Sequence, residues 1–231
     1  MKTNNPACHA SRVAFARCAI FAPAATLLAS ALVMSFLAGC APLLPPPPPP
    51  DNVYLLEAGM TPASGADNDR AAAPKSGFVL EVGMPRARAG FDTNQMVWVN
   101  QAHGIRVYAR NRWADTPSHM LAPLIAQALE RAGIFHAVVQ SPSAASARLR
   151  LDTELIRLQQ DFSVHPSQVR LALRAQLVDI GTRQVIASAE FDETEAAVSE
   201  DAYGGVRAAN VALERLLARL VAFCALHSSA S

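Results

Sequence analysis

The stretch Arg148-Leu149-Arg150-Leu151-Asp152-Thr153-Glu154-Leu155-Ile156-Arg157-Leu158 decides the fold. Leu149, Leu151, Thr153 and Leu155 fall on one side of an extended chain, and Arg148, Arg150, Asp152 and Glu154 on the other. A period of two with one apolar side is a strand that has one dry face and one wet face. The adjacent pair Leu155-Ile156 breaks the alternation, which predicts a bulge or a strand end there. The same pattern returns in Val169, Leu171, Leu173, Ala175 and Leu177, set between Arg170, Arg174 and Gln176. Asp179-Ile180-Gly181-Thr182-Arg183 is a hairpin turn. Val185, Ala187, Ala189 and Phe191 are expected to come back along the same inner face. Together these strands form an antiparallel meander with one packed face.

Working outward, Asn52 to Glu57 is a short strand, residues 59–77 read as a mobile loop, and Gly77 to Val82 is a second strand. Gln95 to Asn100 and Ile105 to Ala109 alternate across Gln101–Gly104, a hairpin in which Gly104 is expected to ease the turn. Asp115 or Thr116 can cap a helix that begins with Pro117 and shows an apolar face at Met120, Leu121, Leu124, Ile125, Ala128 and Leu129. Gly133 ends it. Pro123 removes a backbone bond to residue 119, so a kink or a later start is expected. Phe135 to Gln140 is a further strand. Ser199-Glu200-Asp201 opens a final helix whose stripe is Val206, Ala209, Leu213, Leu216, Leu217, Leu220 and Cys224, with Gly204-Gly205 weakening its first turn. About eight strands and two helices without βαβ alternation predict an α+β domain: a mainly antiparallel sheet with both helices packed on one face.

Ahead of that domain, a weakly basic segment and the apolar run Leu27 to Leu37 lead into Leu37-Ala38-Gly39-Cys40. A basic region, an apolar core and small residues before a cleavage point make a secretory signal, and no stop-transfer charges follow. Six prolines, Pro45 to Pro50, favour a semi-rigid polyproline spacer of about 3.1 Å per residue. The organisation read from the chain is therefore a signal over 1–39, a tether over 40–51, a folded domain over 52–226 and a disordered tail over 227–231. Loss of the signal removes Lys2, Arg12 and Arg17 and no carboxylate, taking the formal charge from +1 to −2. A near-neutral body lacks the basic footprint of a nucleic-acid binder. Cys8 and Cys18 leave with the signal, so Cys224, at helical spacing with Leu217, Leu220 and Val221, reads as a buried thiol.

Catalytic patterns are scarce. The six histidines are scattered without metal-ligand spacing, and neither a phosphate loop nor a nucleophile elbow is present. No cofactor is expected, and the chain reads as non-enzymatic. Glu190, Asp192, Glu193 and Glu195 cluster, and a carboxylate pair can do acid–base work; a solvated strand end explains them as well. The segment Tyr108 to Pro117 is richer. Arg110 and Arg112 share a face of an extended chain, flanked by the amphipathic Tyr108 and Trp113. They are candidates for contact with a partner or with lipid headgroups. The other reading is a strand whose aromatics, Trp113 foremost, enter the core at a strand–helix junction.

Four stretches resemble one family: Leu37-Ala38-Gly39-Cys40, Tyr54-Leu55-Leu56, Tyr108-x-Arg110-x-Arg112-Trp113-Ala114-Asp115-x-Pro117, and Arg207-Ala208-Ala209-Asn210-x-Ala212-Leu213. The first is similar to the lipobox of bacterial lipoproteins, and the set resembles the ABC-type transport auxiliary lipoproteins of paraquat-inducible protein C type. The resemblance runs from about Asn52 to Phe223. It implies that Cys40 carries the lipid and that the partners are an MCE-domain substrate-binding protein with an ABC permease and ATPase. It also implies a system that moves lipid between envelope membranes, phospholipid or sterol as a further partner, and a chain that is an accessory subunit, not the ATPase. Ala41 is not the Asp that marks inner-membrane retention in enterobacterial lipoprotein sorting, so the periplasmic leaflet of the outer membrane is expected. A structural or assembly lipoprotein, binding an outer-membrane protein or the cell wall, is the competing function.

Overall fold

A computed structural model describes residues 47, 49–59 and 76–228. Cys40, the signal and most of the tether lie outside the described residues, as do positions 60–75 of the expected loop. The elements run β1 (Asn52–Tyr54), β2 (Ser76–Val82), β3 (Arg86–Ala87), β4 (Gln95–Val99), β5 (Arg106–Trp113) and α1 (Pro117–Ala132). They continue β6 (Phe135–Gln140), β7 (Leu149–Asp161), β8 (Gln168–Asp179), β9 (Gln184–Ala196) and α2 (Ala202–Ser228).

All nine strands join one mixed sheet built on β7. On one side β7 pairs antiparallel with β8, and β8 with β9, giving the expected meander. On its other side three strands line up end to end, all parallel to β7. β2 lies against Leu149–Leu151, β3 against Glu154–Leu155 and β4 against Gln160–Asp161. β6 extends the sheet beyond β2, and β5 then β1 extend it beyond β4. The fold is α+β, and the long ladders are antiparallel. The parallel pairings and the two-residue β3 have no counterpart in the alternation pattern, because parallel neighbours are distant in sequence and no turn announces them.

The break at Leu155-Ile156 is a bulge: Leu155 faces Leu173 and Arg157 faces Ala172. The strand therefore continues to Asp161 with its polarity reset, so that Leu158 and Gln160 are buried. A second bulge changes an expectation. The register slips between Leu177 and Val178, and Val185 is turned out to 54% exposure while Ile186 packs against the core. One extra residue reverses the side to which the strand start points.

The two helices pack against each other and against the inner face of the sheet. Leu149, Leu151, Leu155, Leu171, Leu173 and Leu177 of the sheet meet Ile125 and Leu129 of α1 and Leu213 and Leu216 of α2, all fully buried. Fully burying one such side chain contributes about 1.5–3 kcal/mol, so this layer is the main source of stability. Helix α1 starts where its cap predicts. The Thr116 hydroxyl accepts from the His119 backbone N–H, Pro117 is the first residue, and Gly133 closes the end with φ 64°. Pro123 does not delay the start. His119 is exposed and Pro123 half-buried, so the carbonyl that loses its bond is on the wetter side of the helix, where water can hydrate it.

In the β4–β5 hairpin the left-handed residue is His103 (φ 62°) and not Gly104. Helix α2 runs through His227 to Ser228, with the His227 ring 4.9 Å from that of Phe223. Gly204 and Gly205 are sites of close approach. A β-carbon on either would stand 2.2 Å from the Ser199 carbonyl oxygen or the Gln160 side-chain oxygen, respectively. Among the described residues no helix is long and apolar enough to cross a membrane.

Candidate functional site

The Tyr108–Pro117 segment spans β5 and the entry to α1, and its geometry turns on an irregularity. Gln95 pairs with Arg112 but Val97 pairs with Val107, so β5 carries extra residues between those points. Strict alternation would place Tyr108 and Trp113 on opposite sides; the bulge brings both inward. Trp113 is 4% exposed within the main core, and its backbone N–H donates to the Asn94 carbonyl at 2.8 Å. Tyr108 donates its hydroxyl proton to Gln160 Oε1 at 2.9 Å. Trp113 belongs to the core, Tyr108 is half-buried and still lines the cavity beside the arginines, and Arg110 and Arg112 are exposed.

Arg110 and Arg112 are exposed and border a shallow cavity of about 190 Å³ with Asp51, Gln95 and Asn111. Arg112 Nε lies 3.9 Å from Asp51 Oδ2, and Arg110 has no carboxylate within ion-pair distance among the described residues. The neighbouring Asn111 is occupied in holding β1: its Oδ1 accepts from Asn52 Nδ2 at 3.0 Å and from the Tyr54 hydroxyl at 3.4 Å. Past β1 the chain runs beside α2, where the Glu57 N–H donates to Asn210 Oδ1 at 3.0 Å and Leu56 is buried. The two exposed cations thus stand beside the segment that joins the tether to the body.

Tyr108 begins a polar chain through the interior. Gln160, 3% exposed, accepts from Tyr108 and donates Nε2–H to Ser167 Oγ at 2.9 Å. The Ser167 backbone N–H donates to Glu200 Oε1 at 2.8 Å. Burial, reinforced by Asp201 and Glu200, drives the Tyr108 phenol well above its ordinary pKa, so it is a neutral donor at physiological pH. That chain ties β5, β7, the β7–β8 connection and the start of α2 together.

The acidic cluster is divided between the two sides of the sheet. Glu193 and Glu195 lie on the helix side and take Arg215, at 3.3 and 2.7 Å; Glu193 also takes Arg219. Glu190 and Asp192 lie on the outer side with Arg174 at 3.1 Å and Arg170 at 3.3 Å. They pin α2 to the edge strand and brace the outer face, and no two converge on a shared proton. Among the described residues no group of three or more His, Cys, Asp or Glu side chains stands together to hold a metal ion. Cys224 is fully buried, and burial pushes its thiol up to about 12.

Comparison with known proteins adds the following. The model of the family described as "ABC-type transport auxiliary lipoprotein component" matches residues 54–221. No curated protein matches the chain. Among solved structures, protein XCC0632 from Xanthomonas campestris superposes with a TM-score of 0.67 at 21% identity, covering 77% of this chain and 97% of that one. A second, described only as an uncharacterized protein, gives a TM-score of 0.58 at 11% identity over 76% and 99% of the two chains. These two likenesses show that the fold recurs in other proteins.

Proposed function

The chain belongs to the family of ABC-type transport auxiliary lipoprotein components, and from that premise we propose that it is the lipid-anchored, periplasmic accessory subunit of an ABC/MCE-type system that moves lipid between envelope membranes. Cys40 carries the anchor, in the periplasmic leaflet of the outer membrane. The proline tether sets the reach of the body, and Arg110 and Arg112 form its docking edge toward the MCE-domain protein, which works with the permease and the ATPase. The chain itself performs no chemistry.

The observation that carries this reading is the extent of the family match: it starts inside β1 and ends near the end of α2, so it takes in nearly the whole described body. The arrangement of side chains supports it. Carboxylates that might have done acid–base work are consumed in ion pairs, whereas two cations beside the tether entry remain open to solvent. The test is crosslinking in intact envelopes followed by affinity purification of the tagged full chain. Recovery of an ATPase, a permease and an MCE-domain protein is the expected result. Recovery of an outer-membrane assembly complex or of cell-wall material in their place would transfer the chain to the structural-lipoprotein class.

A further inference from the structure

The outer face of the meander is a lattice of ion pairs, and its charge balance changes at one end. Arg150 has Asp152 beside it, and Arg174 is held between Glu154 and Glu190. Toward the β4–β5 hairpin, Arg157 and Arg170 share the single carboxylate of Asp192, at 3.9 and 3.3 Å. Further along the same face, the Asp161 carboxylate accepts from the N–H and the hydroxyl of Ser163, at 2.9 and 2.5 Å. Among the described residues no cation lies within ion-pair distance of Asp161.

At this point the face is concave. A cavity of about 440 Å³ is enclosed by the β4–β5 hairpin and by Arg157, Asp161 and Arg170. Residues 157, 159 and 161 alternate on one side of β7, and Arg170 stands opposite Gln159. The cavity is therefore dipolar along the strand, with a cation-rich end separated from an unneutralised carboxylate by a few residues at about 3.3 Å each. Ile105, 54% exposed, makes its rim apolar. A plain anion is a poor occupant, because Asp161 would repel it, and a plain cation meets the two guanidinium groups. Charge complementarity selects a compact zwitterion, and paired guanidinium forks suit a phosphate oxyanion.

We propose that this cavity binds a phosphate–ammonium zwitterion of the phosphoethanolamine class, with the phosphate on Arg157 and Arg170 and the ammonium on Asp161. The assignment deepens the lipid-transport reading proposed above, and it rests on that reading only for a bilayer as the source of the headgroup.

The test is calorimetric titration of the detergent-purified full chain with sn-glycero-3-phosphoethanolamine and with glycerol 3-phosphate. The zwitterion is expected to bind saturably and about tenfold tighter than glycerol 3-phosphate, and Arg170→Gln and Asp161→Asn should each weaken it about tenfold. Asp161→Asn should leave glycerol 3-phosphate binding no weaker. That nearly isosteric variant keeps the test decisive if Arg170→Gln fails to fold. Because the anchor inserts into any bilayer, the source is identified by repeating the titration with the anchored chain in bicelles of phosphatidylethanolamine and of phosphatidylglycerol. A soluble-headgroup affinity lowered in the former alone assigns the site to a membrane lipid. Equal affinity in both bicelles assigns it to the free zwitterion. Equal affinities for the two soluble ligands, unchanged affinity in the variants, or no binding in either format would overturn the proposal. Failure here with intact co-purification of the transport partners would leave the accessory-subunit reading standing.

Discussion

The side-chain oxygen of Gln160 occupies the place where a β-carbon of Gly205 would be: built on the backbone, that carbon stands 2.2 Å away. Gln160 cannot retreat cheaply, because one end of its amide accepts from Tyr108 and the other donates to Ser167. Gly205→Ala therefore sets the usual gain in helix propensity, about 1 kcal/mol, against overpacking and a broken buried chain. The clash wins. Thermal denaturation should show a net loss of about 1–3 kcal/mol, or roughly 3–10 °C for a domain of this size. In the Gly205→Ala, Gln160→Ala pair the two losses should be less than additive, since the second change removes the atom that clashes. An unchanged melting temperature in Gly205→Ala would show that α2 enters differently.

Acid should loosen the start of α2. The Gly204 N–H, then the Ser199 hydroxyl, hold the Asp201 carboxyl below its ordinary range, and the Ser167 N–H does the same for Glu200. Their folded pKa values lie below the unfolded ones, so the stabilisation is present above the unfolded carboxylate range, about pH 4, and is lost as pH falls through the folded values. Melting temperature should fall as pH drops below about 4, and it should fall less steeply in Asp201→Asn, which keeps a capping side chain but cannot be protonated.

Cys224 should be silent in the native protein. A fully buried thiol pushed up to about 12 has almost no thiolate at neutral pH. A thiol reagent should find no reactive group in the mature native chain and one after denaturation. Rapid native labelling would mean that the end of α2 opens.

The anchor has its own test. Metabolic labelling with an alkyne fatty acid should mark the wild-type chain and leave Cys40→Ser unmarked, and the variant should leave the outer-membrane fraction. Continued fractionation of Cys40→Ser with the outer membrane would remove the lipid from the account.

How much of this was readable in the chain follows from where the physics is local. Leu149 to Leu158 and Val169 to Leu177 could be read because alternation within one strand is a property of neighbouring residues, and even the Leu155-Ile156 bulge left its mark as two adjacent apolar residues. The parallel seams of β2, β3 and β4 along β7 left none, since their partners are dozens of residues away. The same limit applied to the site. Tyr108 and Arg110 have the same parity, so alternation put them on one face; the β5 bulge, invisible in sequence, sends the phenol to Gln160 and leaves the guanidinium in solvent. Glu190 and Glu193 looked like one cluster, but their opposite parity already placed them on opposite sides of a strand. Gly204-Gly205 read as a weak start to a helix because the close approaches that require them are tertiary or turn geometry: Gly204 folds back on the neighbouring Ser199, and Gly205 meets Gln160 of a distant strand.

The central claim is that the body works by contact, through the cations beside its tether. The direct measurement is capture of the MCE-domain and permease partners by tagged Arg110→Glu/Arg112→Glu protein, set beside its melting temperature. Both side chains are exposed, and among the described residues their one ion pair, to Asp51, is long. The account predicts that capture falls to about a tenth or less while the melting temperature moves by no more than about 2 °C. Full capture by the charge-reversed protein would contradict it.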